Sequence, residues 1–196
     1  MNIPNLPWAN LVELSKEAIR NMTVVENYLP REPKYSSSDS SKTNHGSMQS
    51  FQDAMVDRLI QDSVHRRGTQ YVLKGMPSSG KSTELRRLAS TLAGHIQGQS
   101  RLSRTLVHLS SIQNFKSKGA SIHSAEQLWQ LLFECHESPE IARYDISLSE
   151  FAKIHHDRGV SPILLIDTLD LLAYGSNDEV LEIIATAWND LLFQLM

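Results

Sequence analysis

Residues 75–83 constrain the fold more than any other part of this 196-residue chain. They read GMPSSGKST, which fits the pattern G-x-x-x-x-G-K-[S/T] at every required position. A short β-prone run at residues 70–73 precedes the loop, and a helical pattern over residues 83–93 follows it. A loop of this kind between a buried strand and a helix predicts a parallel sheet with helices packed against it.

The residue types in this loop suit the binding of phosphate groups. Gly75 and Gly80 permit backbone geometry that a Cβ would block, so that successive N–H groups turn inward around an anion, at the positive end of the next helix. Lys81 can reach the β- and γ-phosphates, and the Ser82 hydroxyl is an oxygen ligand of the kind that Mg²⁺ prefers. The predicted nucleotide-binding residues are Gly75, Met76, Pro77, Ser78, Ser79, Gly80, Lys81, Ser82 and Thr83.

Further strands and helices alternate along the rest of the chain. Strands are predicted at residues 105–109 and 162–166, and the second is a continuous apolar run of the kind that is buried on both faces. Capping residues at Ser124, Ser147 and Ser176 predict the starts of three helices. The predicted helices cover residues 8–22, 50–62, 83–93, 148–157 and 177–195, with one more after Ser124. This alternation predicts an α/β fold with a parallel sheet.

Two carboxylates follow the apolar strand at residues 162–166. Asp167 stands at the carboxyl end of that strand, where ligands bind in open α/β sheets, and it can hold Mg²⁺ through water opposite Ser82. Asp170 can orient a water molecule or contact the metal, and it can equally cap the turn after the strand. The spacing leaves both roles of Asp170 open.

Residues 75–83 and 163–170 resemble the Walker A and Walker B motifs of P-loop NTPases. The resemblance to this family covers about residues 50–175. The form hhhhD-x-x-D is similar to the AAA+ and STAND branch, the signal-transducing ATPases that include NACHT-type proteins. The resemblance implies a three-layer P-loop NTPase domain that uses ATP and Mg²⁺, with Lys81, Asp167 and Asp170 as catalytic residues. Many relatives place an acidic residue directly after the Walker B aspartate. Thr168 stands there in this chain, so we expect weak hydrolysis, or Asp170 in that role.

The number of strands departs from the pattern of that branch, whose members place a fourth strand between the Walker A and Walker B strands. Only three strands are predicted here, and the chain stops at Met196 inside a predicted helix. We therefore expect an incomplete sheet and a truncated piece of a larger protein. In the alternative arrangement, that of kinase- and GTPase-type folds, the two motif strands are adjacent and three strands are already contiguous.

Three segments are predicted. Residues 1–35 form an N-terminal helical extension, whose amphipathic helix packs on the core or docks a partner. Residues 36–47 contain six serines and no apolar residue, which predicts a linker. Residues 48–196 form the NTPase domain.

Composition narrows the function. A single cysteine, Cys135, excludes an internal disulfide, and no apolar run approaches the roughly 20 residues that span a bilayer, so we expect a cytoplasmic protein. A net charge of −3 and a basic run of only His65, Arg66 and Arg67 argue against a nucleic-acid channel.

The expected function is a Mg·ATP-binding regulatory ATPase that acts as a nucleotide-dependent switch, with a protein partner or self-association. The alternatives are a nucleic-acid-associated AAA+ ATPase, a small-molecule kinase and a non-catalytic, truncated interaction module.

Overall fold

The structure, a computed structural model, describes residues 8–20, 51–74, 76, 78–97, 104–112, 122–144, 146–172 and 178–196. Its α-helices and strands are α1 (Trp8–Arg20), α2 (Phe51–Val64), α3 (Lys81–Gln97), β1 (Thr105–Ser111), α4 (Ala125–Glu134), α5 (Leu148–Arg158), β2 (Ser161–Asp167) and α6 (Asp178–Gln194). Short 3-10 helices cover Ile141–Arg143 and Leu169–Leu172. The described part of the chain is thus mixed helix and sheet, which agrees with the α/β class predicted from the sequence.

The two strands pair in parallel, from Thr105 opposite Ser161 to Ser111 opposite Asp167. Parallel neighbours need a crossover connection, and the chain between them carries α4 and α5. Both strands were predicted, and each extends beyond its predicted bounds because the paired segments are seven residues long.

Helices cover both faces of this sheet. One face presents the odd-numbered apolar residues of both strands and packs against α2 and α3. The other presents Leu106, Leu164 and Ile166 and packs against α4, α5 and α6. Successive side chains of a strand point to opposite faces, so one run of apolar residues supplies both layers of the core.

The outer edge of β1 is closed by groups from outside the sheet. The Ser15 hydroxyl of α1 donates to the carbonyl of Val107. The backbone of residues 135–137 makes two bonds of 3.0 Å to the strand, one to the Leu109 carbonyl and one from the Ser111 N–H. The Val107 and Leu109 carbonyls and the Ser111 N–H therefore face away from β2 and still have partners, as buried backbone groups require.

The helix α1 belongs to the core. Leu11 and Val12 join the cluster that contains α4, α5 and α6, whereas Ile19 joins the cluster that contains α2 and α3. All three side chains are buried. Of the two roles considered for the N-terminal amphipathic helix, the buried face of α1 shows the packing role.

The edge of the sheet along β2 has no neighbouring strand among the described residues. The Ser161 N–H donates to the Arg104 carbonyl at 3.1 Å, so Ser161 faces β1. Because peptide groups alternate in direction along a strand, Pro162, Leu164 and Ile166 face outward. Proline lacks an N–H and is tolerated at such an outward position. The sheet can therefore be extended only beyond β2.

The prediction of a buried strand at residues 70–73 is wrong. These residues belong to no strand, and Val72 is 75% exposed. High β propensity reflects the fit of a side chain to a half-buried pleated surface, and no strand of the described chain lies beside this segment to provide one.

Three side-chain contacts hold the segment instead, and one of them is from Arg58 Nε, which donates to the Tyr71 hydroxyl oxygen at 3.1 Å. The Tyr71 hydroxyl donates to Asp62 Oδ2 at 2.6 Å, and Trp188 Nε1 donates to Gln70 Oε1 at 3.4 Å. Burial raises the pKa of the Tyr71 phenol and the bond to Asp62 raises it further, so the phenol stays a donor. Residues 70–71 are thereby tied to α2 on one side and to α6 on the other.

The helix caps test the sequence patterns directly. The Ser124 hydroxyl accepts from the Gln127 N–H, and Ser147 and Glu150 form a full capping box, so both predicted starts are confirmed. The cap predicted at Ser176 and the linker at residues 36–47 lie outside the described residues. No helix in the described part of the chain is long and apolar enough to cross a membrane.

Two buried histidines lie beside the closed edge of β1. The ring centroids of His108 and His136 are 4.5 Å apart. His108 Nε2 lies 2.9 Å from the Leu132 carbonyl and is therefore its donor, whereas the Ser138 N–H donates to His136 Nδ1 at 2.9 Å. Burial lowers the pKa of His108 to about 4, and burial together with the neighbouring His108 lowers the pKa of His136 to about 2.

The open edge of β2 predicts an alternating pattern of hydrogen exchange. The amides of Leu164 and Ile166 should exchange at least about tenfold faster than those of Ile163 and Leu165, since only the latter pair donates to β1. Residue-resolved exchange measured by NMR tests this. The matched control is the set of even-numbered amides of β1, which face β2 and should be protected. Equal protection along β2 would contradict an open edge.

The buried histidines predict acid sensitivity. Unfolded histidines take up protons below about pH 6.5, whereas folded His108 does so only near pH 4, so the unfolded state binds more protons between these values. The free energy of unfolding should therefore fall with decreasing pH by up to about 1.4 kcal/mol per pH unit for each histidine. Urea titrations at several values between pH 7 and 5 should show a shallower dependence for His108→Gln than for the exposed control His95→Gln. Identical slopes would count against the assignment.

Candidate functional site

The helix α3 begins at Lys81, within the predicted phosphate-loop motif and two residues before the predicted helix start, and runs for 17 residues. The Glu84 N–H donates to the Gly80 carbonyl at 2.9 Å, so the helical bonding starts at Gly80. The N–H groups of the first turn have no partner within a helix, and with the helix dipole they favour an anion. Ser82 and Thr83 lie half-buried in this first turn.

The described part of the loop has left-handed backbone at two positions. Ser78 has a φ of +59° and Gly80 a φ of +87°. Between them, the Ser79 N–H donates to the Met76 carbonyl at 3.2 Å. Left-handed residues next to right-handed ones can turn successive N–H groups toward an anion, and such an anion nest in this loop stays a prediction.

Lys81 is folded over its own loop. Its Nζ donates to the carbonyl of Met76 at 2.8 Å, so the ammonium group lies on the loop rather than out in solvent. The Met76 side chain is 79% exposed. The loop residues Gly75 and Pro77 lie outside the described residues.

Asp167 ends β2 and is 9% exposed. The next residue, Thr168, has a φ of +59°, and its Oγ1 donates to the Asp167 carbonyl at 2.7 Å. A β-branched residue rarely adopts a positive φ, and strain of this kind concentrates at functional sites. The threonine that replaces the expected acidic residue is therefore held in a strained turn directly beside the predicted metal ligand.

Asp170 lies in the 3-10 helix Leu169–Leu172 that follows β2. Its side chain lies outside the described residues, so its two predicted roles, in catalysis or in capping the turn, both remain predictions.

An ion pair shows at which end of the sheet α3 begins. Arg86 Nη2, in the second turn of α3, lies 2.9 Å from Glu137 Oε1. The Glu137 N–H bonds to the carbonyl of Leu109, which lies opposite Leu165. Asp167 follows two residues later at the end of β2. The start of α3 and Asp167 therefore both lie toward the carboxyl end of the sheet, where open α/β sheets bind their ligands.

The donor groups at this end fit a magnesium–phosphate ligand. The Ser82 hydroxyl and the Asp167 carboxylate are hard oxygen ligands. Within the described stretches, no group of three or more His, Cys, Asp or Glu residues is placed to hold a metal ion. A cation held by one or two protein oxygens, with phosphates and waters completing its shell, is the usual arrangement for Mg²⁺.

Two contacts that position this site were not predicted from the sequence. Arg86 is exposed, and it pairs with Glu137, which is 51 residues away in the chain. Tyr71, expected in a buried strand, is anchored to Asp62 instead. Neither contact has a periodic signature, because each depends on how separate elements pack.

Comparison with known proteins gives no further guide: no family model, curated protein or solved structure matches this chain. The interpretation of the site therefore rests on its own residues and their geometry.

The left-handed backbone of the loop predicts opposite effects for two glycine substitutions. Gly80→Ala should lower the free energy of unfolding by about 1–2 kcal/mol, because an L-residue is strained at a φ of +87°. Gly94→Ala, in the middle of α3 where a new Cβ meets nothing within 4 Å, should raise it by about 0.5–1 kcal/mol. Urea unfolding of both variants tests this, and equal effects would contradict the loop geometry.

Proposed function

We propose that this chain is a P-loop NTPase domain of the AAA+/STAND type that binds Mg·ATP and acts as a nucleotide-dependent switch. The observation that carries the proposal is the sharply turned loop, with positive φ at Ser78 and Gly80, at the start of α3 and toward the same end of the sheet as Asp167. The preference for ATP over GTP comes from the family resemblance alone.

In this proposal the backbone of the loop and the first turn of α3 hold the phosphate groups. Lys81 gives up its contact with the Met76 carbonyl and places its charge against the β- and γ-phosphates. The exchange replaces a neutral acceptor by an anionic one, and charge-assisted hydrogen bonds are roughly twice as strong as neutral ones.

Ser82 and Asp167 are the proposed magnesium ligands, Ser82 directly and Asp167 through water. The bound ion would neutralise charge on the phosphates. On the protein side, burial of Asp167 at the end of β2 fixes its position relative to the sheet. The residues that hold the ion thus come from two different elements, so its binding would depend on their packing.

We propose that hydrolysis is weak. Water has to be oriented by a carboxylate or an equivalent acceptor, and Thr168 directs its hydroxyl to the Asp167 carbonyl instead. Asp170 is the remaining candidate for that role. A domain that binds nucleotide tightly and turns it over slowly suits a switch, in which the bound γ-phosphate holds one state.

A protein partner or self-association belongs to the same proposal. Val72 and Met76 are 75% and 79% exposed on either side of the predicted loop start. Contiguous exposed apolar side chains commonly mark an interaction surface, and we propose that these two residues belong to one. We also propose a cytoplasmic location, on the sequence evidence of a single cysteine.

Thermal unfolding with Mg·ATP tests the nucleotide site. At a ligand concentration of about 100 times Kd, binding stabilises the folded state by about 2.7 kcal/mol, which corresponds to a Tm increase of roughly 5–10 °C for a chain of this size. Lys81→Ala should abolish most of the increase. Lys74→Ala, which removes an exposed lysine just before the loop, is the matched control and should retain it.

The same titration with other variants and ligands tests the metal site and the reaction type separately from nucleotide binding. Asp167→Asn should weaken the stabilisation by Mg·ATP more than that by metal-free ATP, because the carboxylate acts on the metal. The nucleotide proposal would be overturned if Mg·ATP stabilised Lys81→Ala as much as the parent chain, or if it did not stabilise the parent chain at all. Transfer of phosphate to a small molecule rather than to water would favour a kinase.

A further inference from the structure

Three arginines from distant parts of the chain lie at the amino end of the sheet, opposite the end that carries Asp167. Arg104 directly precedes β1, Arg158 ends α5 just before β2, and Arg66 follows α2. All three are exposed. The strands are seven residues long, so this end lies roughly 20 Å from the carboxyl end of the sheet. The arginines are therefore separate from the proposed nucleotide site.

Two of these guanidinium groups converge on Gly159. Arg66 Nη2 lies 2.5 Å, and Arg104 Nη1 4.0 Å, from the point that a Cβ on Gly159 would occupy. Arg104 Nη1 also donates to the carbonyl of Arg158 at 2.8 Å, which fixes its direction. The missing side chain of Gly159 thus leaves room for two like-charged groups to approach one point.

No carboxylate neutralises these groups in the described part of the chain. The ion pairs there are Lys16–Glu13 and Arg86–Glu137, and neither involves Arg66 or Arg104. Two guanidinium groups close together without an anion repel each other, and a bound anion would remove that repulsion.

The left-handed position that ends α2 holds an arginine, Arg66, where helix capping favours glycine. The Arg66 N–H bonds to the Ser63 carbonyl at 3.2 Å and the Arg67 N–H to the Asp62 carbonyl at 2.8 Å, which is the Schellman ending of a helix. Its left-handed position is normally glycine, and the end of α5 has Gly159 there. The end of α2 has Arg66 at a φ of +51° instead. An unfavourable residue at such a position points to a role other than stability.

From this geometry we propose that Arg66 and Arg104, beside Gly159, form a binding site for a phosphate group. Each guanidinium presents a planar fork of N–H donors that matches the oxygens of an oxyanion. Phosphate carries up to two charges and enough oxygens to accept from both forks at once, whereas a carboxylate suits a single fork. The ligand class is a phosphate ion or a small phosphate ester.

The sequence alone did not predict this site, because residues 65–67 are only a short basic run. Arg104 is 38 positions further along the chain and joins Arg66 only because the amino ends of β1 and β2 lie side by side.

An NMR titration of the full chain with inorganic phosphate tests the proposal, using Lys81→Ala as the parent so that the phosphate loop does not compete. The amides of Arg104 and Gly159 should shift in a saturable way, and sodium chloride at equal ionic strength should not reproduce the shifts. Arg66→Gly and Arg104→Gln should each weaken phosphate binding at least about tenfold, the effect expected for loss of a charge-assisted bond. The matched control Arg67→Gln removes an adjacent exposed charge and should change affinity less than about threefold.

Arg66→Gly also separates function from stability, because glycine relieves the left-handed strain. This variant should unfold at a higher temperature than the parent while it loses phosphate affinity. A lower unfolding temperature, or unchanged affinity, would overturn the assignment of Arg66.

The remaining outcomes concern the ligand. Equal losses in Arg66→Gly, Arg104→Gln and Arg67→Gln would show a diffuse charge effect and overturn a defined site. A single-stranded oligonucleotide or a hexaglutamate peptide that displaces phosphate and binds at least about a hundredfold tighter would replace the small-phosphate assignment by a polyanion surface. Failure of Mg·ATP binding in the unaltered chain would leave these results unaffected, since the two sites share no residue.

Discussion

The parallel pairing of β1 with β2 is the contact on which the rest of the described structure depends. It aligns two apolar strands so that their side chains form two faces, each covered by its own set of helices. Only the β1 edge of this sheet is closed, by the Ser15 hydroxyl and by residues 135–137. Buried backbone groups must be paired, so the closed side is fixed as the limit of the sheet, and the side of β2 remains the one where a strand can be added.

This pairing also separates the molecule into two chemically different ends. The carboxyl ends of the strands carry Asp167 and lie toward the start of α3, whereas the amino ends bring Arg66 and Arg104 together. One end offers carboxylate and hydroxyl oxygens beside a helix N-terminus, and the other offers guanidinium groups alone. We propose that both ends bind phosphate by different means: backbone N–H groups and a metal ion at the first, and charged side chains at the second.

Backbone strain supports the importance of both ends. In the described part of the chain, the non-glycine residues with positive φ are Arg66, Ser78 and Thr168. Ser78 lies in the predicted phosphate loop and Thr168 follows Asp167, whereas Arg66 belongs to the proposed arginine site. Such conformations persist only where the surrounding structure enforces them, and they cluster where geometry serves binding or catalysis.

Local sequence determined the parts of this protein that short-range physics controls. The apolar periodicity and caps defined α2, α5, β1 and β2, and the glycine pattern located the turn before α3. Tertiary structure alone decided what depends on distant partners: that residues 70–73 stay exposed although their composition favours a strand, that Arg86 meets Glu137, and that Arg66 meets Arg104. The reason is that a strand needs a neighbour to pair with and a charge cluster needs a shared fold, and neither requirement is written in the spacing of nearby residues.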